Sequence, residues 1–233
     1  RGALGVLPVA ATCAAAGIIV GVVTLTGLGL KFSSIVIAYA GGNVFFTALY
    51  TALIVWVIGL AVPVTASYII AVVIAAPALI QLGVPDFAAH MFVFYYAVLS
   101  EVSPPTALSC FAAAALTGGN PYKTTMYAWK YTAAAFIVPF MFILHPSGLA
   151  LLLKGNSLPE GAWVILSSFA GIFALSAAAS GWLLKKTNSL ERIILVAGAL
   201  MLVYPAYLAD AAGLALVAVV YLKQRLQLKT EAV

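Results

Sequence analysis

Charge is what this chain most conspicuously lacks. Only 7% of its 233 residues are Asp, Glu, Lys or Arg, against roughly a quarter in a soluble domain, which excludes a fold built to face water. The hydrophobic share is 65% and the mean hydropathy +1.15, so the expected solvent is a bilayer. The formal charge is +5, but the bases are scattered along the chain, with Lys185 and Lys186 the one adjacent pair. No stripe of them could follow a phosphate backbone, so nucleic acid is excluded as a partner and the excess is read as membrane topology. Cysteine and histidine number two each. Cys13 and Cys110 show no CxxC or Cys/His spacing that would hold a metal, and both are read as buried packing thiols. The chain opens at Arg1 without a charged n-region or a small-residue cleavage site. It is therefore read as carrying no signal peptide and as part of something longer.

What is present is a series of apolar runs. Val9 to Leu30, Val44 to Leu60, Met126 to Leu144, Ala162 to Leu184 and Ile193 to Leu208 approach the roughly 20 residues that a membrane span requires. Ala211 to Leu222 is shorter and spans only with its ends snorkelling. Between Val64 and Leu116 the pattern changes to three pieces: Val64 to Leu82, Phe87 to Leu99 and Pro105 to Leu116. The last two are each about a dozen residues, and about 18 to 20 Å of helix is too short to span. They fit a re-entrant arm or half of a broken helix, and periodicity does not choose between these because both faces are apolar. The expected fold is all-α and polytopic.

Basic residues set the topology, since cytoplasmic loops near span ends collect them. Lys185, Lys186 and Arg192 share one loop, and Lys223, Arg225 and Lys229 follow the final run two spans later. Both groups therefore lie on one side, with a cytoplasmic C-terminus. The Lys154 to Glu160 loop then lies outside, and the loop at Pro121 to Lys123 inside. The turns at Gly41-Gly42-Asn43, Leu82-Gly83-Val84-Pro85-Asp86 and Gly118-Gly119-Asn120-Pro121 are ordinary punctuation.

Two proline-broken stretches carry the chemistry: Gly59 to Ser67 and Ser100 to Thr106. Irregular backbone at membrane depth survives only where protein or a polar cavity satisfies it, and such breaks mark binding sites in secondary transporters. Pro104 and Pro105 have no amide hydrogen, so the carbonyls of Ser100 and Glu101 lose their helical donors at the negative end of the half-helix Phe87 to Leu99. A dehydrated sodium ion suits that place. Ser103 is expected as the N-cap of the next half-helix, with Pro104 at its first position, presenting amides to a carboxylate. In the earlier break Pro63 frees the Gly59 carbonyl, Gly59 permits a backbone turn, and Thr65 and Ser67 add hydroxyls. The plainer alternative is that the prolines merely kink continuous helices.

Glu101 is the one acid within an apolar piece of this region. It is read either as a proton or cation carrier, or as a solvated side chain at a water-facing break, pairing with Lys130. His90 is expected to be packed or hydrogen-bonded, and His145 interfacial. Tyr95, Tyr96, Trp129 and Tyr131 are read as packing or belt residues.

At these residues the chain resembles the large membrane subunit of tripartite ATP-independent periplasmic (TRAP) transporters, especially the fused permeases that pair with TAXI-type binding proteins. The resemblance runs through Gly17-Ile18-Ile19-Val20-Gly21, Thr26 to Ser33, Ala40-Gly41-Gly42-Asn43, Ser67-Tyr68-Ile69-Ile70 and Ala75 to Leu79. It continues through Ala88 to Tyr95, Ser103-Pro104-Pro105 and Ile137-Val138-Pro139-Phe140, covering about Ala11 to Leu153. It implies a non-enzymatic importer of small organic acids in the bacterial inner membrane, driven by a sodium gradient. It also implies an elevator-like motion and a soluble periplasmic binding protein that delivers the solute.

By the same resemblance, residues 1–155 form the second repeat and residues 156–233 additional helices with a short tail. The N-terminal half and the fused small subunit would be separate from this chain. The site residues it implies are Gly59, Pro63, Thr65, Ser67, Ser100, Glu101, Val102, Ser103, Pro104, Pro105 and Thr106. Val62-Pro63-Val64-Thr65 departs from the usual Leu-Pro-Thr-Thr, keeping only the second hydroxyl, and Ser103 stands where Thr is common. An intramembrane enzyme and a purely structural membrane subunit are the rival readings. The first would need an acid/base or metal cluster, and no such motif stands in the sequence.

Overall fold

The computed structural model describes residues 2–154, 157–204 and 206–231. No strand forms among them, and the chain is all-α as expected, with one isolated bridge between Trp182 and Lys186. Val64–Gln81, Pro121–Ile143, Leu158–Ser180 and Tyr207–Leu228 are each long and apolar enough to cross a membrane. The chain divides into two compact units, Arg1–Met126 and Tyr127–Val233. The boundary expected between residues 155 and 156 falls outside the described residues.

The first unit begins with α1 (Gly2–Thr26) and α2 (Leu28–Tyr39). The single span expected from Val9 to Leu30 is instead bent by 71° between Cys13–Thr26 and Leu28–Tyr39. Gly27 turns the chain there with φ 66° and ψ 14°, a left-handed conformation that costs other residues about 1–2 kcal/mol. Hydropathy carries no trace of such an elbow. Cys13, expected to be buried, is exposed on α1; Cys110 is buried.

Asn43 starts α3 (Val44–Gly59) by accepting from the amides of Phe45 at 2.9 Å and Phe46 at 3.3 Å, which satisfies orphan donors of the first turn. After the first break come α4 (Val64–Gln81) and α5 (Asp86–Ser100). These three helices pack on one another through small side chains: Ala48 and Ala52 of α3, Ala71, Ala75 and Ala78 of α4, and Ala88, Ala89 and Ala97 of α5 are all buried. Interfaces of small residues let helix backbones approach closely where apolar burial supplies little drive. Pro77 interrupts the ladder of α4. The Val73 carbonyl, four residues earlier, lies where a β-carbon on Gly29 would come within 2.8 Å. The unit continues through α6 (Leu108–Thr117) and into α7 (Pro121–Thr132), whose first turn is capped by Asn120 accepting from the Lys123 amide at 3.0 Å.

The span expected from Met126 to Leu144 is helical but not uniform. Past α7 it tightens into a 3-10 turn, Ala133–Phe136, before α8 (Val138–Ile143), where Pro139 enters the first turn. His145 then caps a second 3-10 turn, Pro146–Leu152, accepting from the Ser147 amide through Nδ1 at 3.2 Å, and its ring packs edge-on against Tyr204.

The rest of the second unit is α9 (Leu158–Ser180), α10 (Ser189–Val203) and α11 (Tyr207–Glu231). Glycines set the helix spacing. A β-carbon on Gly171 would lie 2.9 Å from Leu202 Cβ, and one on Gly213 would lie 2.7 Å from the Gly198 carbonyl. The last run, expected only over Ala211 to Leu222, extends to Glu231, although the side chain of Lys229 is outside the described residues.

Polar ties close this unit. Trp163 Nε1 donates to Asp210 Oδ2 at 2.8 Å. Asn188 and Glu191 form a capping box at the start of α10, and Glu191 Oε1 meets Lys223 Nζ at 2.9 Å. Gln224, fully buried, donates to Glu191 Oε2 at 2.8 Å and accepts from the amides of Leu184 at 3.1 Å and Lys185 at 3.2 Å. Burial alone would raise the Glu191 carboxyl, but hydrogen bonds from Lys223, Gln224 and the Asn188 amide outweigh it and hold the group below its ordinary value.

Candidate functional site

The two breaks, some forty residues apart in sequence, meet in the first unit. Gly59, Leu60, Ala61, Val62 and Pro63 of the first, with Glu101, Thr106 and Leu108 of the second, line one cavity of about 200 Å³. At the first break α3 ends at Gly59, and Pro63 takes the N-cap position of α4 with φ −57° and ψ 154°. That geometry is the extended one proline favours, and its missing N–H costs nothing at a helix start.

At the second break α5 ends at Ser100, and turns carry the chain through the cis Pro104–Pro105 bond to α6. The next helix does not begin at Pro104 with Ser103 as its cap. It begins at Leu108, after Ala107 adopts φ 35° and ψ 49°. Ser103 belongs instead to the end of α5: its amide donates to the Ser100 carbonyl at 3.0 Å and its hydroxyl to the Leu99 carbonyl at 2.8 Å. The Ser100 carbonyl, expected to be bare, is thereby satisfied. Among the described residues no backbone N–H reaches the Glu101 or the Gly59 carbonyl.

Gly59 acts differently from expectation. It is not among the glycines with positive φ. A β-carbon at this position would collide with Ser100 Oγ and stand 2.7 Å from Ser100 Cβ and 3.6 Å from Ser67 Oγ. Glycine is required here for close approach of the two broken helices, not for a turn.

The hydroxyls are mostly turned inward. Ser67 is buried and shares its proton between the carbonyls of Val62 at 2.9 Å and Pro63 at 3.1 Å, clasping the first break. Ser100 donates to the Ala97 carbonyl at 2.7 Å. Of the anticipated residues, Gly59, Pro63, Glu101 and Thr106 reach the cavity wall, whereas Thr65, Ser67, Ser100, Val102, Ser103, Pro104 and Pro105 do not line it. Thr65 is exposed. Leu108 was not legible as a lining residue, because its place follows from the late start of α6.

Among the lining residues Glu101 is the one ionisable side chain. It makes no ion pair among the described residues, and the amine of Lys130 donates to the Ser180 carbonyl at 3.3 Å. His90 is hydrogen-bonded, as expected: Tyr68 Oη lies 2.9 Å from its Nδ1. The cavity therefore combines a carboxylate with the carbonyl ends of α3 and α5, where a cation is favoured. The amide ends of α4 and α6 start beside it at Pro63 and Leu108, and amide ends favour an anion.

A multi-pass helical membrane protein whose interrupted helices meet at a cavity that holds a carboxylate has the build of a permease. Residues 2–147 match the family model described as Tripartite ATP-independent periplasmic transporter, DctM component. The chain belongs to that family, and is thus the large membrane component of a TRAP-type secondary transporter, which works with a periplasmic binding protein and a small membrane subunit. No curated protein and no solved structure matches it.

Proposed function

We infer that this chain is part of a sodium-coupled, binding-protein-dependent permease that imports small organic acids by an elevator-type motion. The observation that supports this most is the meeting of both helix breaks at one cavity, with Glu101 beside the Gly59 and Glu101 carbonyls, to which no backbone N–H donates among the described residues. In this reading those oxygens contribute ligands to sodium, and the amide ends of α4 and α6 face the substrate carboxylate. Pro63 and Pro104 keep the breaks open, Thr106 offers a hydroxyl at the cavity wall, and Ser67, Ser100 and Ser103 hold the broken ends in place. Residues 1–155 supply the second repeat of the transport core and residues 156–233 the additional helices. The partners are a TAXI-type binding protein and an N-terminal half with a fused small subunit. The location is the bacterial inner membrane with a cytoplasmic C-terminus, consistent with the placement of Lys185, Lys186, Lys223 and Arg225.

The test is uptake of a panel of labelled organic acids by the complete transporter in proteoliposomes, with and without a sodium gradient. Sodium-dependent uptake of one or more acids supports the reading. Uptake indifferent to sodium removes the coupling ion, and absence of solute binding by an intact assembly favours a structural subunit.

A further inference from the structure

We propose that Gly59 and Ser100 form a steric pin that sets the distance between the two broken helices, and with it the width of the cavity. The inference rests on the reading of that cavity as the transport site.

Three buried small residues meet at the seam. Gly59 ends α3, Ser100 ends α5, and Ser67 stands in the first turn of α4. The seam has no slack on the Ser100 side: an added β-carbon on Gly59 would strike Ser100 Oγ and sit 2.7 Å from Ser100 Cβ. Carbon atoms rest at about 3.5–4.0 Å from one another, so the end of α5 would have to withdraw by roughly 1 Å. Rotating the Ser100 side chain does not relieve this, because its Cβ is fixed to the backbone. The Ser100 hydroxyl is also held by the Ala97 carbonyl at 2.7 Å. The Ser67 side has room, at 3.6 Å. Glu101 follows Ser100 directly, so withdrawal of α5 carries the Glu101 carboxylate and carbonyl away from the Gly59 carbonyl. Gly59 and Ser100 are thus positioning residues: they need not touch the solute to determine how the oxygens around it are spaced.

The pin predicts a specific pattern of suppression. Gly59→Ala, Ser100→Gly, Gly59→Ala/Ser100→Gly and Gly59→Ala/Ser100→Ala are compared in the complete transporter. Sodium-dependent uptake is measured together with thermal unfolding of the purified complex. Gly59→Ala should lose uptake at least tenfold and raise the sodium concentration needed for half-maximal rate. The added Ser100→Gly should return both quantities to within about threefold of Ser100→Gly alone, since it removes the colliding Cβ and Oγ together. Ser100→Ala should rescue poorly, because the Cβ remains. If Gly59→Ala does not assemble, recovery of a folded complex by Ser100→Gly and not by Ser100→Ala supports the pin equally. Parent-like uptake by Gly59→Ala overturns it, as does a Gly59→Ala/Ser100→Gly double variant no better than Gly59→Ala. Rescued uptake that ignores sodium would leave the pin standing and remove the sodium reading of the cavity.

Discussion

Helices α3 to α6 and helices α9 to α11 draw on the same residue types and use them to opposite ends. In the first group prolines interrupt the helices at Gly59–Pro63 and Ser100–Ala107 beside a cavity, and Gly59 sits at the very end of a broken helix. In the second, Gly171, Gly198 and Gly213 lie inside continuous helices and remove the side chains that would hold them apart. Acids diverge likewise: Glu101 stands at the cavity wall without an ion pair among the described residues, whereas Glu191 is enclosed by Lys223, Gln224 and Asn188. In an apolar chain, position within the helix decides whether a helix breaker opens a site or tightens a bundle.

That contrast is open to attack by substitution. The largest effect belongs to the double substitution Pro104→Ala and Pro105→Ala, which restores both amide donors and should let the chain continue helically from α5. Uptake should fall at least about tenfold, or ~1.4 kcal/mol in the barrier, without loss of thermal stability; undiminished uptake would remove the need for a break there. Overpacking at the other group should act on folding. Gly213→Val, meeting the Gly198 carbonyl and Leu202, should destabilise by roughly 1–3 kcal/mol, read as a lower unfolding temperature of the purified protein.

Glu191→Gln removes a charge from a closed network and should cost about 2 kcal/mol near neutral pH. Because the folded carboxyl lies below its ordinary value, its contribution is complete above the unfolded value and fades as pH falls through the folded one. The gap between the unfolding temperatures of parent and Glu191→Gln should therefore close in acid. A gap that widens there would reverse the sign. Ser103→Ala loses the bond to the Leu99 carbonyl and should cost about 1 kcal/mol. In the transport reading it also weakens the sodium response, and an unchanged response would confine Ser103 to a structural part. Thr65→Val, at an exposed position, should shift stability by less than about 0.5 kcal/mol.

Much of this was legible in the residues. The pieces Val64 to Leu82 and Phe87 to Leu99 correspond closely to α4 and α5, because prolines and glycines bound them. The breaks themselves were visible as missing donors. Their internal geometry was not: two prolines in a row suit a helix start, and nothing local announced that Ser103 would bond backward to α5 or that Ala107 would turn left-handed. Gly59 was noticed for the wrong reason, since its contact with Ser100 is made across about forty residues of chain. The elbow at Gly27 escaped for lack of any interruption in hydropathy. The capping box at Asn188 and Glu191 has a recognisable spacing, whereas the tie from Trp163 to Asp210 depends on helix packing that no local pattern encodes.

The central claim is that the two breaks enclose a wet, solute-binding space within the membrane. It is tested most directly by thiol labelling of the membrane-embedded transporter, after Cys13 and Cys110 are replaced, with Thr106→Cys compared against Phe169→Cys on the exposed face of α9. A membrane-impermeant hydrophilic reagent, applied from either side, should label Thr106→Cys, with sodium and transported acid slowing the reaction, and leave Phe169→Cys untouched. Thr106→Cys as unreactive as Phe169→Cys from both sides would contradict the account.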